Sequence, residues 1–490
     1  MKNILERYPF FLVLLPAFVV IHLEKELHQV ISYRFVIDRI LIFFAVPLLL
    51  YTIIYFLNRS VKKSAFAAFI LSIPFFYLGD LKNWLSSMLP GSLWQSYSFL
   101  LTALFLVSVL SISFVLKSES EFRKQFLLIN TGLLLFITTD LALIAYSFNK
   151  GKYHLANETE TENKPCDNCE KPDIYYIVLD TYTSGKILKS NFNFPNDMIE
   201  EYLKNKGFYI VANSKSNYSY TAFSIGSTLN MNYIKEVDTI NKIYDREYLQ
   251  SLKLLYNNRL LKFLEKENYS IFNHSVVDFS SYPSTVNHFD NWGFRELFDQ
   301  YNILLKMKMD LGFHLPDWVN DLSGKNKYFI NAPLNRYRFD SLVLQHLEES
   351  ISLKTENPKF VYAHFLKPHP PYAFDSSGNA LDMSTTSNEA AYIHQIAACN
   401  RIIKEVTDAI LASSKKPLVI IFQGDHGVPF TNESAPDKKL NNFNAIYFSN
   451  RNYSLLNDSV TNVNTFRIVL NTFFQKNLPL LPDEFYIFKN

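Results

Sequence analysis

Five apolar segments crowd the first third of this chain: Tyr8 to Leu23, Ile40 to Leu57, Ala65 to Leu78, Trp94 to Leu116 and Phe126 to Phe148. A helix that crosses a bilayer needs roughly 20 largely apolar residues, within a range of about 17 to 25. The second, fourth and fifth segments meet this directly; the first and third need their flanks. Tyr8 to Leu23 is not a cleavable signal, because no small-residue cleavage site follows and the next residues are Glu24-Lys25-Glu26. It is therefore kept as a permanent span.

Basic residues orient the series. Lys2 and Arg7 precede the first segment, Arg59, Lys62 and Lys63 lie between the second and third, and Lys117, Arg123 and Lys124 between the fourth and fifth. With five spans all three groups fall on one side, the cytoplasmic one. Residues 1–150 are thus expected to form a five-helix transmembrane domain in the cell (inner) membrane. Everything after Phe148 is then periplasmic or extracellular.

The stretch that follows is polar (Asn157 to Asn163 reads Asn-Glu-Thr-Glu-Thr-Glu-Asn), so 151–171 is expected to be a linker and 172–490 an exported domain. Lys and Arg number 48 against 46 Asp and Glu, a net charge of +2. No global field speaks for nucleic acid, and partners have to be inferred from sites. The sequence holds three cysteines, too few for a disulfide framework. Cys166 and Cys169 suit a local disulfide or two idle thiols, and Cys399 a small core residue in a helix.

In the exported part, Pro417-Leu-Val-Ile-Ile-Phe-Gln-Gly-Asp425-His426-Gly427 reads as a buried parallel strand whose polar residues begin where it ends. Ligands of open α/β sheets gather at the carboxyl ends of strands. A carboxylate beside an imidazole there suits zinc or manganese, with Gly424 and Gly427 allowing a sharp turn. The same pair also occurs as an ordinary strand end. Pro172 to Asp180 repeats the pattern, and two neighbouring strands would bring Asp180 beside Asp425 and His426.

Further elements alternate. A helix is expected over Met198 to Lys206, a strand over Phe208 to Ala212, an amphipathic helix over Tyr248 to Glu267 and a strand over Tyr269 to Asn273. Arg336 to Ser352 reads as a helix, Lys359 to Tyr372 as a third core strand ending in a proline-locked turn, and Glu389 to Ser413 as a helix. The class is an α/β sandwich with a mainly parallel central sheet. Thr221 falls near the start of a helical pattern, where free N–H groups favour an anion, although Thr and Ser are also common helix caps. His364 is either a site residue or a satisfied core histidine. Pro368, Pro370 and Pro371 fix the backbone around His369, which suits an aimed side chain. His274, Asp278, His288, Trp292 and Arg295 are pocket candidates in a region, 232–324, with no clear pattern.

Taken in order, Leu179-Asp180 closing a strand, Thr221-x-x-Ser224 at a helix start, His364-x-x-x-Pro368-His369-x-Pro371-Tyr372 and Asp425-His426-Gly427 resemble the alkaline-phosphatase superfamily. They are most similar to its sulfatase-like membrane branch, which includes lipoteichoic-acid synthases and lipid A phosphoethanolamine transferases. The resemblance implies an alkaline-phosphatase-like/sulfatase-like fold behind the membrane bundle, with Asp180, Thr221, Asp425 and His426 holding a divalent zinc or manganese. It implies Thr221 as nucleophile and His369 on the transferred phosphate or a second metal, with His364 and Ser224 as further substrate contacts. Two features depart from it: the transferases usually carry Glu where Asp180 stands, and no Cys/Ser-x-Pro-x-Arg motif surrounds Thr221, which disfavours sulfate esters.

The implied activity moves a phospholipid-derived head group, phosphoethanolamine or phosphoglycerol, to a cell-envelope glycan or lipid through a phospho-threonine. Coordination would lower the pKa of a hydroxyl that is otherwise a poor nucleophile. The rivals are an exported phosphodiesterase, phosphatase or sulfuric-ester hydrolase of the same superfamily, and a non-catalytic membrane binding protein.

Overall fold

The computed structural model describes residues 2–27, 33–89, 93–147, 169–235, 237, 245–286, 332–372, 374–382, 385–428 and 436–488. Residues 151–168 of the linker expected over 151–171, with Cys166, and also His288, Trp292 and Arg295 lie outside them. The described residues fall into two compact units, one within 1–150 and one from Cys169 onward.

The first unit is helical: α1 (Lys2–Arg7), α2 (Phe11–Leu27), α3 (Tyr33–Asn58), α4 (Val61–Met88), α5 (Tyr97–Lys117) and α6 (Arg123–Ser147). Four stretches among the described residues are long and apolar enough to cross a membrane: Ile40–Asn58, Val61–Leu85, Tyr97–Lys117 and Arg123–Tyr146. The third expected segment, short in sequence, is thus extended at both ends. The first falls below that length. α2 has 17 residues, roughly 26 Å at 1.5 Å per residue against a hydrocarbon core of about 30 Å, and its last turn is charged.

Packing gives α2 a direction nonetheless. Asn130 Nδ2 donates to the carbonyls of Leu5 and Tyr8 at 2.8 and 2.9 Å. Phe11 meets Phe126 and Phe18 meets Phe136 at ring centroid distances of 4.9 and 5.5 Å. At the far end Lys25 Nζ donates to Asp140 Oδ1 at 3.0 Å, and His22 Nδ1 lies 2.8 Å from Asp140 Oδ2. Contacts that advance together along both helices make α2 and α6 parallel. The two basic connections also meet, since Lys62 pairs with Glu121 at 3.0 Å and Lys63 Nζ donates to Leu116 O at 2.9 Å.

The second unit is built on β1 (Asp173–Asp180), β2 (Tyr209–Ile210), β3 (Ser270–His274), β4 (Lys359–Pro368), β5 (Leu418–Gly424) and β6 (Asn444–Phe448). They form one sheet in the order β2-β6-β5-β1-β4-β3. β1 pairs in parallel with β4 and β5, and β3 with β4; β6 is antiparallel to β5 and to β2. The apolar runs of β1 and β5 are buried along their whole length, as central strands require.

The helices of this unit are α7 (Gly185–Phe192), α8 (Asp197–Lys206), α9 (Thr221–Asn230), α10 (Asp245–Tyr256), α11 (Arg259–Lys266), α12 (Ala332–Ser352), α13 (Asn388–Ser413) and α14 (Thr465–Phe474). The single helix expected over Tyr248 to Glu267 is two, because Asn258 caps α11 by accepting from Leu261 N–H at 3.0 Å. Alternation sorts the strand side chains. Tyr175, Ile177, Leu179, Val361, Ala363, Phe365, Ile420 and Phe422 share a core with Val343 and Leu347 of α12 and Ile396, Ile403 and Val406 of α13. Each fully buried Val, Leu, Ile or Phe among them contributes about 1.5–3 kcal/mol. Tyr176 and Phe360 on the opposite face meet Phe466 of α14. On this second face the strands carry Asp180, His364 and, just past the end of β5, Asp425.

Candidate metal centre and its surroundings

β1 and β5 run side by side with Leu179 opposite Gly424, so Asp180 and Asp425 leave the sheet together at its carboxyl edge. His426 follows, and Asp180, Asp425 and His426 each offer a ligand atom within 4.8 Å of the others. His426 Nε2 lies 3.5 Å from Asp425 Oδ2 and 4.0 Å from Asp180 Oδ1. All three residues are buried. Asp180 Oδ1 and Asp425 Oδ2 are enclosed without a hydrogen bond, a costly arrangement for carboxylate oxygens. Burial and the Asp425 charge push the Asp180 carboxyl well above the usual range, against the pull of Arg336. Burial acts on Asp425 too, but His426, His364 and Thr221 outweigh it and hold that carboxyl low. Two buried carboxylates and an imidazole, with oxygens left open toward one another, fit a divalent cation.

Thr221 opens α9, and the residue in the capping position is Tyr220, whose side chain makes no cap bond. The threonine hydroxyl is therefore not spent on the helix end. Its Oγ1 stands 3.5 Å from His426 Nε2. Ser224, one turn on, has a different surrounding from the expected substrate contact. Its hydroxyl is fully buried, donates to Asp425 O and accepts from Ser216 Oγ at 2.9 Å, which braces the metal-site loop. Asn462 Nδ2 adds a bond to Asp425 O at 3.2 Å, and Asn442 Nδ2 donates to Gly424 O.

Gly424 and Gly427 serve close approach rather than an unusual backbone angle. Neither has the positive φ seen at Gly207 and Gly378. A Cβ on Gly424 would stand 2.3 Å from Tyr182 O, and one on Gly427 2.3 Å from Lys438 O and 2.6 Å from Asn441 O. The strained residue is Thr181, at φ 65° between the two carboxylate-bearing elements.

His364 lies on β4 opposite Val178 of β1. Its Nδ1 is 2.8 Å from Tyr362 Oη, while Nε2 is buried without a hydrogen bond. Burial lowers its pKa to about 4, so it is neutral. His369 follows the end of β4 and is likewise lowered to about 4, by burial first and then by Arg336. Arg336 Nη1 lies 3.0 Å from His369 Nδ1 and 3.4 Å from its carbonyl oxygen. Arg336 was legible only as the start of a helix, since a single arginine without a motif gives no signal. His274 sits away from this cluster in its bonding: Nδ1 is 2.7 Å from Thr285 Oγ1 and Nε2 2.8 Å from Ser350 Oγ. Asp278 accepts from Ser284 N–H at 2.9 Å.

Comparison with known proteins gives one family. A family model described as Sulfatase matches residues 173–472. Among solved structures, the chain is similar to the integral membrane protein lipooligosaccharide phosphoethanolamine transferase A (EptA) from Neisseria meningitidis. Identity is 12%, coverage 96% of this chain and 95% of that one, and the TM-score 0.39. The C-terminal periplasmic domain of phosphoethanolamine transferase EptC from Campylobacter jejuni is 11% identical over 65% of this chain and 94% of that one, TM-score 0.37. The phosphonate monoester hydrolase of Agrobacterium radiobacter is 12% identical over 62% of this chain and 73% of that one, TM-score 0.37. No curated protein sequence matches the chain.

Proposed function

The chain belongs to the sulfatase family, and on that premise we propose that it is a membrane-anchored, metal-dependent transferase. It moves a phospholipid-derived head group, phosphoethanolamine or phosphoglycerol, to a hydroxyl of a cell-envelope glycan or lipid. The observation that carries this reading is the Thr221 hydroxyl, free of capping duty, facing a buried Asp180–Asp425–His426 cluster. Asp180, Asp425, His426 and Thr221 hold zinc or manganese. The bound cation supplies charge neutralisation and a lowered hydroxyl pKa.

Thr221 loses its proton and its oxygen attacks phosphorus; the phosphorus–oxygen bond to diacylglycerol breaks, and the departing oxygen gains a proton. The acceptor hydroxyl then attacks the phospho-threonine, gives up its own proton and returns Thr221 to its starting form. His369 and His364, both neutral, border the phosphoryl group and orient it. The hydrolase reading, with water as acceptor, draws on Asp180 standing where the transferases carry Glu.

The domain works outside the cytoplasm. α6 starts at the basic connection around Lys117, Arg123 and Lys124 and precedes the catalytic unit in sequence, and α2, parallel to it, crosses in the same sense as a fifth span. Cys169 is disulfide-bonded, as suits an oxidising compartment.

Mass spectrometry of the protein made in its own membrane tests the scheme. An adduct is expected on the peptide holding Thr221, and its mass names the head group. Thr221→Ala should lose adduct and activity together; an active Thr221→Ala protein overturns the assignment. An unmodified wild type releasing phosphate into water would favour the hydrolase.

A further inference from the structure

The two carboxylates of the candidate metal site are supported unequally. Asp425 Oδ1 accepts two backbone N–H groups, while Asp180 Oδ1 is enclosed and accepts no hydrogen bond from the described residues. Carboxylates that ligate a cation are as a rule hydrogen-bonded in turn, and that bond fixes the way the ligand faces. Asp180 calls for a donor.

Tyr372 has one to give. The pairing of β1 with β4 slips after Leu179 and sets Asp180 opposite Pro368, so the chain leaving β4 starts beside this carboxylate and then reaches Tyr372. The tyrosine is 4% exposed and belongs to the core that holds Leu179, Tyr182 and Tyr392. Tyr392 spends its hydroxyl on backbone, donating to Thr181 O at 2.8 Å and accepting from Thr183 N–H at 3.3 Å. Tyr372 does not: its Oη is buried with no hydrogen bond. The charges of Arg336 and Asp180 both reach this hydroxyl. A phenol keeps its proton near neutral pH and so enters such a site as a donor. Leaving a hydroxyl and a carboxylate oxygen buried and unpaired is costly on both counts, and a bond between them removes both costs.

We propose that Tyr372 is a positioning residue that donates its hydroxyl to the Asp180 carboxylate and holds it on the cation. The inference rests on the reading of Asp180, Asp425 and His426 as a metal centre. Each carboxylate then has its own support, backbone for Asp425 and a side chain for Asp180. No covalent step is involved, and Tyr372 acts through Asp180 alone.

Tyr372→Phe keeps the ring and deletes the hydroxyl, which gives the test two readouts of opposite sign. Zinc affinity of the full-length protein, measured by competition with a chromophoric chelator, should fall about 10- to 100-fold, the range seen when a metal ligand loses its hydrogen-bond partner. The melting temperature of the metal-free protein should hold or rise, because a buried hydroxyl without a partner has been removed. A hydroxyl with a purely structural role would do the reverse, lowering the melting temperature and leaving zinc affinity alone. Wild-type zinc affinity in a folded Tyr372→Phe protein overturns the proposal. If Tyr372→Phe does not fold, fluorotyrosine in place of Tyr372 decides it: the fluorine resonance should shift on zinc loading, and an unmoved resonance overturns the proposal. Zinc binding needs no turnover, so a protein inactive on every lipid donor sinks the transferase reading while Tyr372 is still judged on its own. A zinc-loaded, active wild type with an indifferent Tyr372→Phe leaves that reading standing and removes Tyr372 alone.

Discussion

Thr181 donates its backbone N–H to Asp425 Oδ1 across 2.8 Å, tying the end of one central strand to the carboxylate that follows another. The same Oδ1 accepts from His426 N–H at 2.8 Å, so one oxygen is held by backbone and Oδ2 is left to face the candidate metal site.

Asp425→Asn separates these two jobs. Its amide carbonyl can keep both backbone bonds while the anionic ligand is lost. Metal affinity should fall by more than the ~100-fold that outer-shell changes cost, with the melting temperature of the metal-free protein held or raised. Elemental analysis after dialysis checks it, and a stoichiometrically loaded Asp425→Asn protein would remove Asp425 from the ligand set.

Two glycines predict opposite outcomes. On Gly226 of α9 a Cβ would meet nothing closer than Ile234 Cδ1 at 3.7 Å, so Gly226→Ala should stabilise the helix by up to ~1 kcal/mol. On Gly427 the Cβ would collide with two backbone carbonyls, so Gly427→Ala should destabilise by about 1–3 kcal/mol or more and disturb His426. Melting curves of the two variants settle the contrast; equal shifts would discredit the close-approach account.

What could be read in advance follows the range of the interactions. Continuous apolar runs ending in Asp180 and Asp425 identify central strands because burial on both faces leaves no room for alternation. Asp180, Asp425 and His426 come together as neighbouring strand ends demand, and Thr221, expected there only from the resemblance, opens α9 beside them. Ser224 was expected as a substrate contact and Arg336 only as the start of a helix, since what they meet, Asp425 O and His369, is distant in sequence. The break at Asn258 was masked by amphipathic spacing that carries on across it. β6, short and antiparallel, had no signal of its own beside β5.

Asp340 should leave a mark on the pH dependence of stability. Burial raises its carboxyl to about 6, against the nearby Lys367 and Arg336. The folded state therefore binds this proton more tightly than the unfolded chain, whose aspartates titrate near ~3.9. Stability falls as pH rises from about 4 through 6, by about 3 kcal/mol for this group. Asp340→Asn can still accept from Leu366 N–H and should gain on wild type by that amount between pH 4 and 7. Parallel stability curves across that interval would contradict the shift.

Membrane orientation can be read by thiol labelling, because the background among the described cysteines is quiet: Cys169 is bonded and Cys399 buried. Asn3→Cys and Ser120→Cys should react only from the cytoplasmic face, and the exposed Ser454→Cys only from the other. Labelling of Asn3→Cys from outside would leave α2 uncrossed; labelling of Ser454→Cys from the cytoplasm would end the export reading.

The placement of β1 at the middle of the sheet has a kinetic side. It is the first strand of its unit to be synthesised, yet its partners β4 and β5 come far later, and Thr181 and Asp425 are 244 positions apart. Pairings of such sequence separation close slowly, and an unpaired central strand is exposed to misassociation while it waits. On the proposed export, a chain crossing from its amino end emerges with half of the candidate metal site and acquires the other half only once β5 has been delivered. On that proposal, translocation is nearly complete before a cation can be captured, and delivery of β5 sets the earliest moment at which the proposed enzyme can act.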